Sequence, residues 1–170
     1  MNTSAWERAF VEQLPRLRRY ARSLVGNRQQ ADDLVQDCLE RAWRHIDKWR
    51  EGSDLRAWLF TIMHNVYVNQ VRRTRSGPGF VPLDESDAPQ CGGMPQENLL
   101  RDVEAGLMSL TPEQREVLLL AGLEQLSYGE IAEILDIPAG TVMSRLARAR
   151  DRLRVFLSDS QSQPLLRRVK

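Results

Sequence analysis

Cysteine is scarce: the 170 residues hold only Cys38 and Cys91, far apart and without a partner motif. That excludes a disulfide framework and a zinc knuckle, and both read as free thiols. Long apolar runs are missing too, since none approaches the ~18 residues of a membrane helix. The opening MNTSAWERAF lacks the basic-then-apolar plan of a signal peptide. The expectation is a cytoplasmic protein without stable membrane insertion. Catalytic constellations are absent as well: His45 and His64 have no paired Cys or carboxylate ligands nearby, and there is no phosphate-cradling glycine loop or nucleophile elbow. The reading is no enzyme, no metal and no cofactor, with both histidines as ordinary surface or packing residues.

Net charge is only +1, but it is unevenly spread. Residues 1–75 carry 14 Lys/Arg against 9 Asp/Glu, residues 76–137 carry 2 against 12, and residues 138–170 carry 8 against 2. Two basic ends around an acidic middle suggest two contacts with nucleic acid, although solvated charge blocks would look the same. Four of the eight prolines and four of the ten glycines lie between Gly77 and Pro95, and no basic residue occurs from Ser76 to Leu100. This stretch reads as a linker. The chain divides into a lobe at 1–75, a linker at 76–96, a lobe at 97–158 and a tail at 159–170. With no Val/Ile/Thr alternation to call for a strand, the fold class is all-α, two small helical domains on a flexible linker.

In the first lobe, Ser4 and Glu7 have capping-box spacing, and Pro15 is expected to force a break or kink before a second helix that ends at Gly26. Asn27 with Gln30 starts a long helix whose apolar residues are Ala31, Leu34, Val35, Cys38, Leu39, Ala42, Trp43 and Ile46. Its opposite face shows Asp33, Gln36, Asp37, Glu40, Arg41 and Arg44. After Gly52, Ser53 is expected to cap a helix that is apolar nearly all round. Such a helix must be central to its lobe or cover something at a partner surface. It also carries Trp58, Phe60, Tyr67, Asn65 and Asn69 ahead of Arg72, Arg73 and Arg75, types that stack on, read and neutralise a single strand. An aromatic stripe is more often core than binding surface, and the residues alone leave both readings open.

In the second lobe, Leu100, Val103, Leu107 and Leu110 form one stripe. Thr111-Pro112-Glu113-Gln114 announces a helix start, and Ser127 with Glu130 opens a short helix. Asp136-Ile137-Pro138 then turns the chain into a last helix burying Val142, Leu146, Ala149, Leu153 and Phe156. Thr141, Ser144, Arg145, Arg148 and Arg152 are left on its polar face. Short helix, turn and basic helix make a helix-turn-helix, with Ala132 small at the crossing. The arginine fork can donate two hydrogen bonds to guanine in the major groove.

In order, ADDLVQDCLERAW (31–43), LRAWLFTIMHN (55–65), LTPEQREVLLL (110–120) and SYGEIAEILDIPAGTVMSRLARAR (127–150) resemble bacterial RNA polymerase sigma factors of the extracytoplasmic-function (ECF) group. The resemblance covers both lobes and implies sigma region 2 and region 4 alone. It implies that Asp33, Gln36, Asp37 and Arg41 bind the β′ clamp of the polymerase core, and that region 4 meets the β flap. It further implies that Ser53 to Arg75, notably Trp58, Asn65, Asn69, Arg72 and Arg73, reads the −10 element as single-stranded promoter DNA. A flipped base would sit between Asn65 and the loop before Trp58. Thr141, Ser144, Arg145 and Arg148 would read the −35 element as duplex, and the acidic linker would thread the RNA-exit path. Promoter-specific initiation of a stress-response kind is the implied function, and an anti-sigma factor is an implied partner. A decoy that only sequesters an anti-sigma factor is the alternative. Two residues depart from the family pattern: Met143 stands where many relatives have Lys or Arg, so their −35 preference does not carry over, and Asp136 takes a turn position often held by Gly.

Overall fold

A computed structural model describes residues 3–50, 52–76 and 95–161. Among them are seven α-helices: α1 (Thr3–Val25), α2 (Arg28–Arg44), α3 (Leu55–Ser76), α4 (Pro95–Met108), α5 (Pro112–Gly122), α6 (Tyr128–Leu135) and α7 (Ala139–Gln161), with a 3-10 turn at Ile46–Lys48. The all-α reading holds. Cys91 and residues 77–94 of the expected linker lie outside the described residues. Ser76 belongs to α3 and Pro95 opens α4, so the helices reach slightly into the span read as linker.

The first lobe is α1, α2 and α3 around Leu17, Tyr20, Leu24, Leu34, Cys38, Leu59 and Met63, all fully buried or nearly so. Tyr20 of α1 meets Phe60 of α3 edge to face, ring centroids 5.0 Å apart. α2 starts as read, Asn27 Oδ1 accepting from the Gln30 N–H at 3.0 Å. Three local expectations are corrected. α1 runs unbroken through Pro15; the carbonyl robbed of its donor belongs to Val11, which is exposed, so water can satisfy it. Because α1 already includes Thr3, Ser4 is no helix-starting cap. The cap of α3 is Asp54, whose Oδ1 accepts from Arg56 N at 2.8 Å and Ala57 N at 3.2 Å, while Ser53 Oγ donates to the Arg50 carbonyl at 2.7 Å. A carboxylate is the better acceptor for helix-end N–H groups, and the residue beside Leu55 is better placed than one a step earlier.

Two apolar residues leave the stripes they were read into. Trp43 is 60% exposed and Leu100 61%. α2 ends at Arg44, one residue past Trp43, and Ile46 has moved into the 3-10 turn, so the buried stripe stops at Ala42.

The second lobe packs α5, α6 and α7 around Val117, Leu120, Ile131, Val142, Leu146 and Ala149. α4 lies along α7, and Gly106 is what permits it: a Cβ there would stand 2.6 Å from Leu153 Cδ1. The lobes are in contact, α3 against α6 and α1 against α4 and α5, and their cores form one continuous apolar cluster. This answers why α3 is apolar nearly all round: one side faces α1 and α2, another the second lobe. Gly26, at φ +71, closes α1 and lies so near Met108 of α4 that a Cβ would meet its Sδ at 2.5 Å.

Candidate nucleic-acid and polymerase interfaces

The helix-turn-helix is built from local rules. Thr111 and Gln114 cap α5 reciprocally at 3.3 Å each. At the start of α6, Ser127 Oγ accepts from Glu130 N at 3.3 Å and Glu130 Oε2 accepts from Ser127 N at 2.7 Å. The Ser127 hydroxyl, which donates to Glu130 Oε2 at 2.6 Å, and the Ser127 N–H together hold the exposed Glu130 carboxyl below its usual range. α6 then ends in a Schellman turn: Asp136 takes φ 51, ψ 49, its N–H reaching Glu133 O, while Ile137 N donates to Ala132 O at 3.0 Å. The aspartate thus adopts the left-handed conformation that glycine usually supplies. Pro138 O accepts from Thr141 N at 2.8 Å and launches α7.

On α7, Val142, Leu146 and Ala149 are buried and Thr141, Ser144, Arg145 and Arg148 share the other face. Ser144 and Arg148 are exposed, Thr141 and Arg145 half-buried, and Met143 is exposed at the edge of this face. The charge of Arg145 acts on Glu116 of α5, so this residue adjoins the junction of the lobes.

On α3, Trp58, Asn65, Asn69, Arg72 and Arg73 fall on one side of the helix by register. Four of them are exposed, whereas Trp58 is half-buried against the core. Asn65 Nδ2 donates to the Thr61 carbonyl at 2.9 Å. On α2, Asp33, Gln36 and Asp37 are exposed and Arg41 is half-buried. The face is laced by Gln29–Asp33 at 3.1 Å, Gln36–Glu40 at 3.2 Å and Arg44–Glu40 at 3.5 Å. Gln70 of α3 donates to Asp37 Oδ2 at 3.1 Å. Trp43 lies about two turns beyond Gln36 on the same side of α2, so the exposed indole adjoins this charged face and not the core. Cys38, on the inner side of α2, is a free buried thiol whose burial raises its pKa to about 12, out of reach of ordinary thiolate chemistry.

Three polar nodes between the lobes escaped the sequence. The first is Arg115, whose guanidinium donates to Leu107 O at 2.7 Å, Met108 O at 3.0 Å, Leu110 O at 3.1 Å and, across the junction, Leu24 O at 2.7 Å. At the second, His64 Nδ1 stands 2.7 Å from Glu116 Oε1, so His64 is more than a packing residue. Burial pushes the Glu116 carboxyl up, against the opposing pull of the His64 hydrogen bond and charge. At the third, Arg19 Nη2 reaches Glu124 Oε1 at 3.2 Å and Arg56 Nη1 donates to the Glu124 carbonyl at 3.2 Å. The available signal was Glu116 and Glu124 standing inside leucine-rich runs.

Among the described residues no three His, Cys, Asp or Glu side chains gather as a metal site, and no helix is long and apolar enough to cross a membrane. Residues 10–64 match the family described as the Sigma2 domain of PhyR, and residues 100–153 match Sigma-70, region 4. The chain is 40% identical over 147 residues to the ECF RNA polymerase sigma factor EcfG of Rhodopseudomonas palustris, covering 85% of this chain and 80% of that protein. Among solved structures, the sigma factor RpoE in complex with the anti-sigma factor NepR from Bartonella quintana superposes with a TM-score of 0.75 at 37% identity, covering 90% of this chain and 96% of that one. CnrH in complex with the cytosolic domain of CnrY gives 0.69 at 26% identity, covering 93% and 90%. With both lobes matched by sigma-factor models and 40% identity to a relative over most of both chains, the chain belongs to the ECF RNA polymerase sigma factors.

Proposed function

We propose that the chain binds core RNA polymerase and directs it to promoters with a −35 and a −10 element, with residues 1–75 serving as region 2 and residues 97–158 as region 4. The observation that carries this is the outward face of α7. Four residues that can contact base edges or phosphates stand together over a buried apolar stripe, on a helix launched by a complete helix-turn-helix. Thr141, Ser144, Arg145 and Arg148 read the −35 duplex. The stripe Trp58, Asn65, Asn69, Arg72 and Arg73 takes the −10 strand, and Asp33, Gln36, Asp37 and Arg41 dock on the polymerase clamp. The β flap is the counterpart of the second lobe.

The docking face is tested by charge reversal. Asp37 is exposed and its bond to Gln70 is at the surface, so Asp37→Lys should change stability by less than ~0.5 kcal/mol. Core affinity, measured by fluorescence anisotropy of the labelled chain, should fall; normal affinity would remove Asp37 from the interface. The −10 stripe is tested at Asn65. Its bond to Thr61 O duplicates what the helix already satisfies, and alanine is the better helix former. Asn65→Ala should therefore leave the melting curve in place while blurring base preference at one −10 position. Retained preference with a lower melting temperature would make Asn65 a structural residue only.

An anti-sigma factor is the further partner proposed, because the solved relatives were captured with NepR and with the cytosolic domain of CnrY. A second reading is a decoy that sequesters an anti-sigma factor. It gives no role to the outward arginines of α7.

A further inference from the structure

The side of α7 turned away from the core carries two chemistries. By register, Thr141, Arg145 and Arg148 occupy one flank, Gly140, Met143 and Ala147 the other, and Ser144 stands between them. Gly140, Met143 and Ala147 are all exposed, Met143 by 50%. A Cβ built on Gly140 would meet nothing within 4 Å, so this flank is open. Ser144 donates its hydroxyl proton to the Thr141 carbonyl at 3.1 Å. The second flank thus holds a large apolar side chain and no side chain free to donate to a base or a phosphate.

A helix ~10–12 Å across fills a major groove of about 12 Å. Both flanks of α7 therefore meet DNA once the helix is seated. The polar flank can pair with base edges or phosphates, and the apolar flank cannot. A phosphate oxygen or a cytosine amino group pressed against a thioether gives up water and gains no partner. The one apolar group that a base pair shows in the major groove is the C5-methyl of thymine. Met143 is unbranched and flexible, so its side chain can follow that methyl on either strand of an A·T pair. Gly140 and Ala147, small on either side of it, leave room for close approach.

We infer that Met143 reads a thymine methyl in the −35 element, so that α7 demands an A·T pair at one position in addition to the base held by Arg148. This rests on the promoter-recognition reading above.

The test removes the methyl alone. Deoxyuridine keeps every hydrogen-bonding group of thymine, so it is placed at each −35 thymine in turn, on both strands of a promoter duplex mapped by run-off transcription. Affinity of the holoenzyme for each duplex is measured by competition. The parent should lose about fourfold at one position, the ratio expected for one buried methyl. Met143→Ala and Met143→Gln should bind the thymine and deoxyuridine duplexes alike there, and Met143→Leu should keep the penalty. Arg148→Ala should weaken binding to both duplexes and leave their ratio in place. Met143→Lys should move the preferred pair at that position to G·C, because an ammonium donates to guanine O6 and N7.

A −35 element without an A·T pair, or deoxyuridine tolerated at every position by the parent, overturns the inference. So does a penalty that persists in Met143→Ala, since another residue then reads the methyl. Met143 variants that match the parent on every duplex but bind an anti-sigma factor less tightly would assign the side chain to that partner instead. In each of these cases holoenzyme that still discriminates among base changes at −35 leaves the promoter reading intact. Binding insensitive to every −35 base change overturns both.

Discussion

Replacing Arg115 with alanine is expected to lower the melting temperature by about 5–15 °C. The last carbonyls of a helix have no intrahelical donor. Arg115 supplies one to Leu24 O near the end of α1, to Leu107 O and Met108 O at the end of α4, and to Leu110 O in the turn that follows. One guanidinium thus closes two helices of different lobes. Truncation leaves these carbonyls partly desolvated without partners, at ~1–3 kcal/mol for each group that water cannot reach. Allowing for relaxation and hydration, a net loss of ~2–4 kcal/mol is expected, at ~2–4 °C per kcal/mol in a chain of this size. Arg115→Lys should recover less than half, because a compact ammonium cannot span acceptors arranged around a planar fork. Thermal melts followed by circular dichroism measure this; a shift below ~1 °C for Arg115→Ala would show that water replaces the guanidinium at every carbonyl.

Replacing Arg148 with alanine should weaken −35 recognition by ~1–3 kcal/mol, roughly 5- to 150-fold, if its fork makes a bidentate contact with a base. The side chain is exposed, and the packing of α7 runs through Val142, Leu146 and Ala149 on the other side. Stability, read from thermal melts, should therefore stay within ~0.5 kcal/mol of the parent. Arg150→Ala serves as the control, being exposed but pointing away from the Thr141–Arg148 face. Binding of holoenzyme to promoters altered at single −35 positions measures the effect. Uniform weakening at all positions would make Arg148 a phosphate contact, and no weakening would take it out of the interface.

What could be read from the sequence was what nearby residues decide. The caps at Asn27, Thr111 and Ser127, the left-handed Asp136 and the buried stripe of α7 each depend on groups within a few positions. The outward faces of α2 and α7 follow from the same helical periodicity. The break allowed for at Pro15 did not occur, because the breaking rule takes no account of whether the orphaned carbonyl lies where water reaches the chain. Trp43 was misread because it stands in the last turn of α2 at the margin of the stripe, where periodicity alone does not tell that the buried face has already ended at Ala42. The nodes at Arg115, Glu116 and Glu124 join residues 52 to 105 positions apart, and no local pattern marks which acid will find which base. The same limit applies to α3: that both its sides would be buried was legible, and that the second lobe covers one of them was not.

The central claim is that this chain gives core polymerase its promoter choice. Run-off transcription on genomic fragments, by core polymerase with and without the purified chain, measures that directly. Transcripts of discrete length that appear only when both are present, and disappear with Asp37→Lys, are expected. The same transcripts from core alone, none in any combination, or tight specific binding of the chain to duplex promoter without polymerase would contradict it.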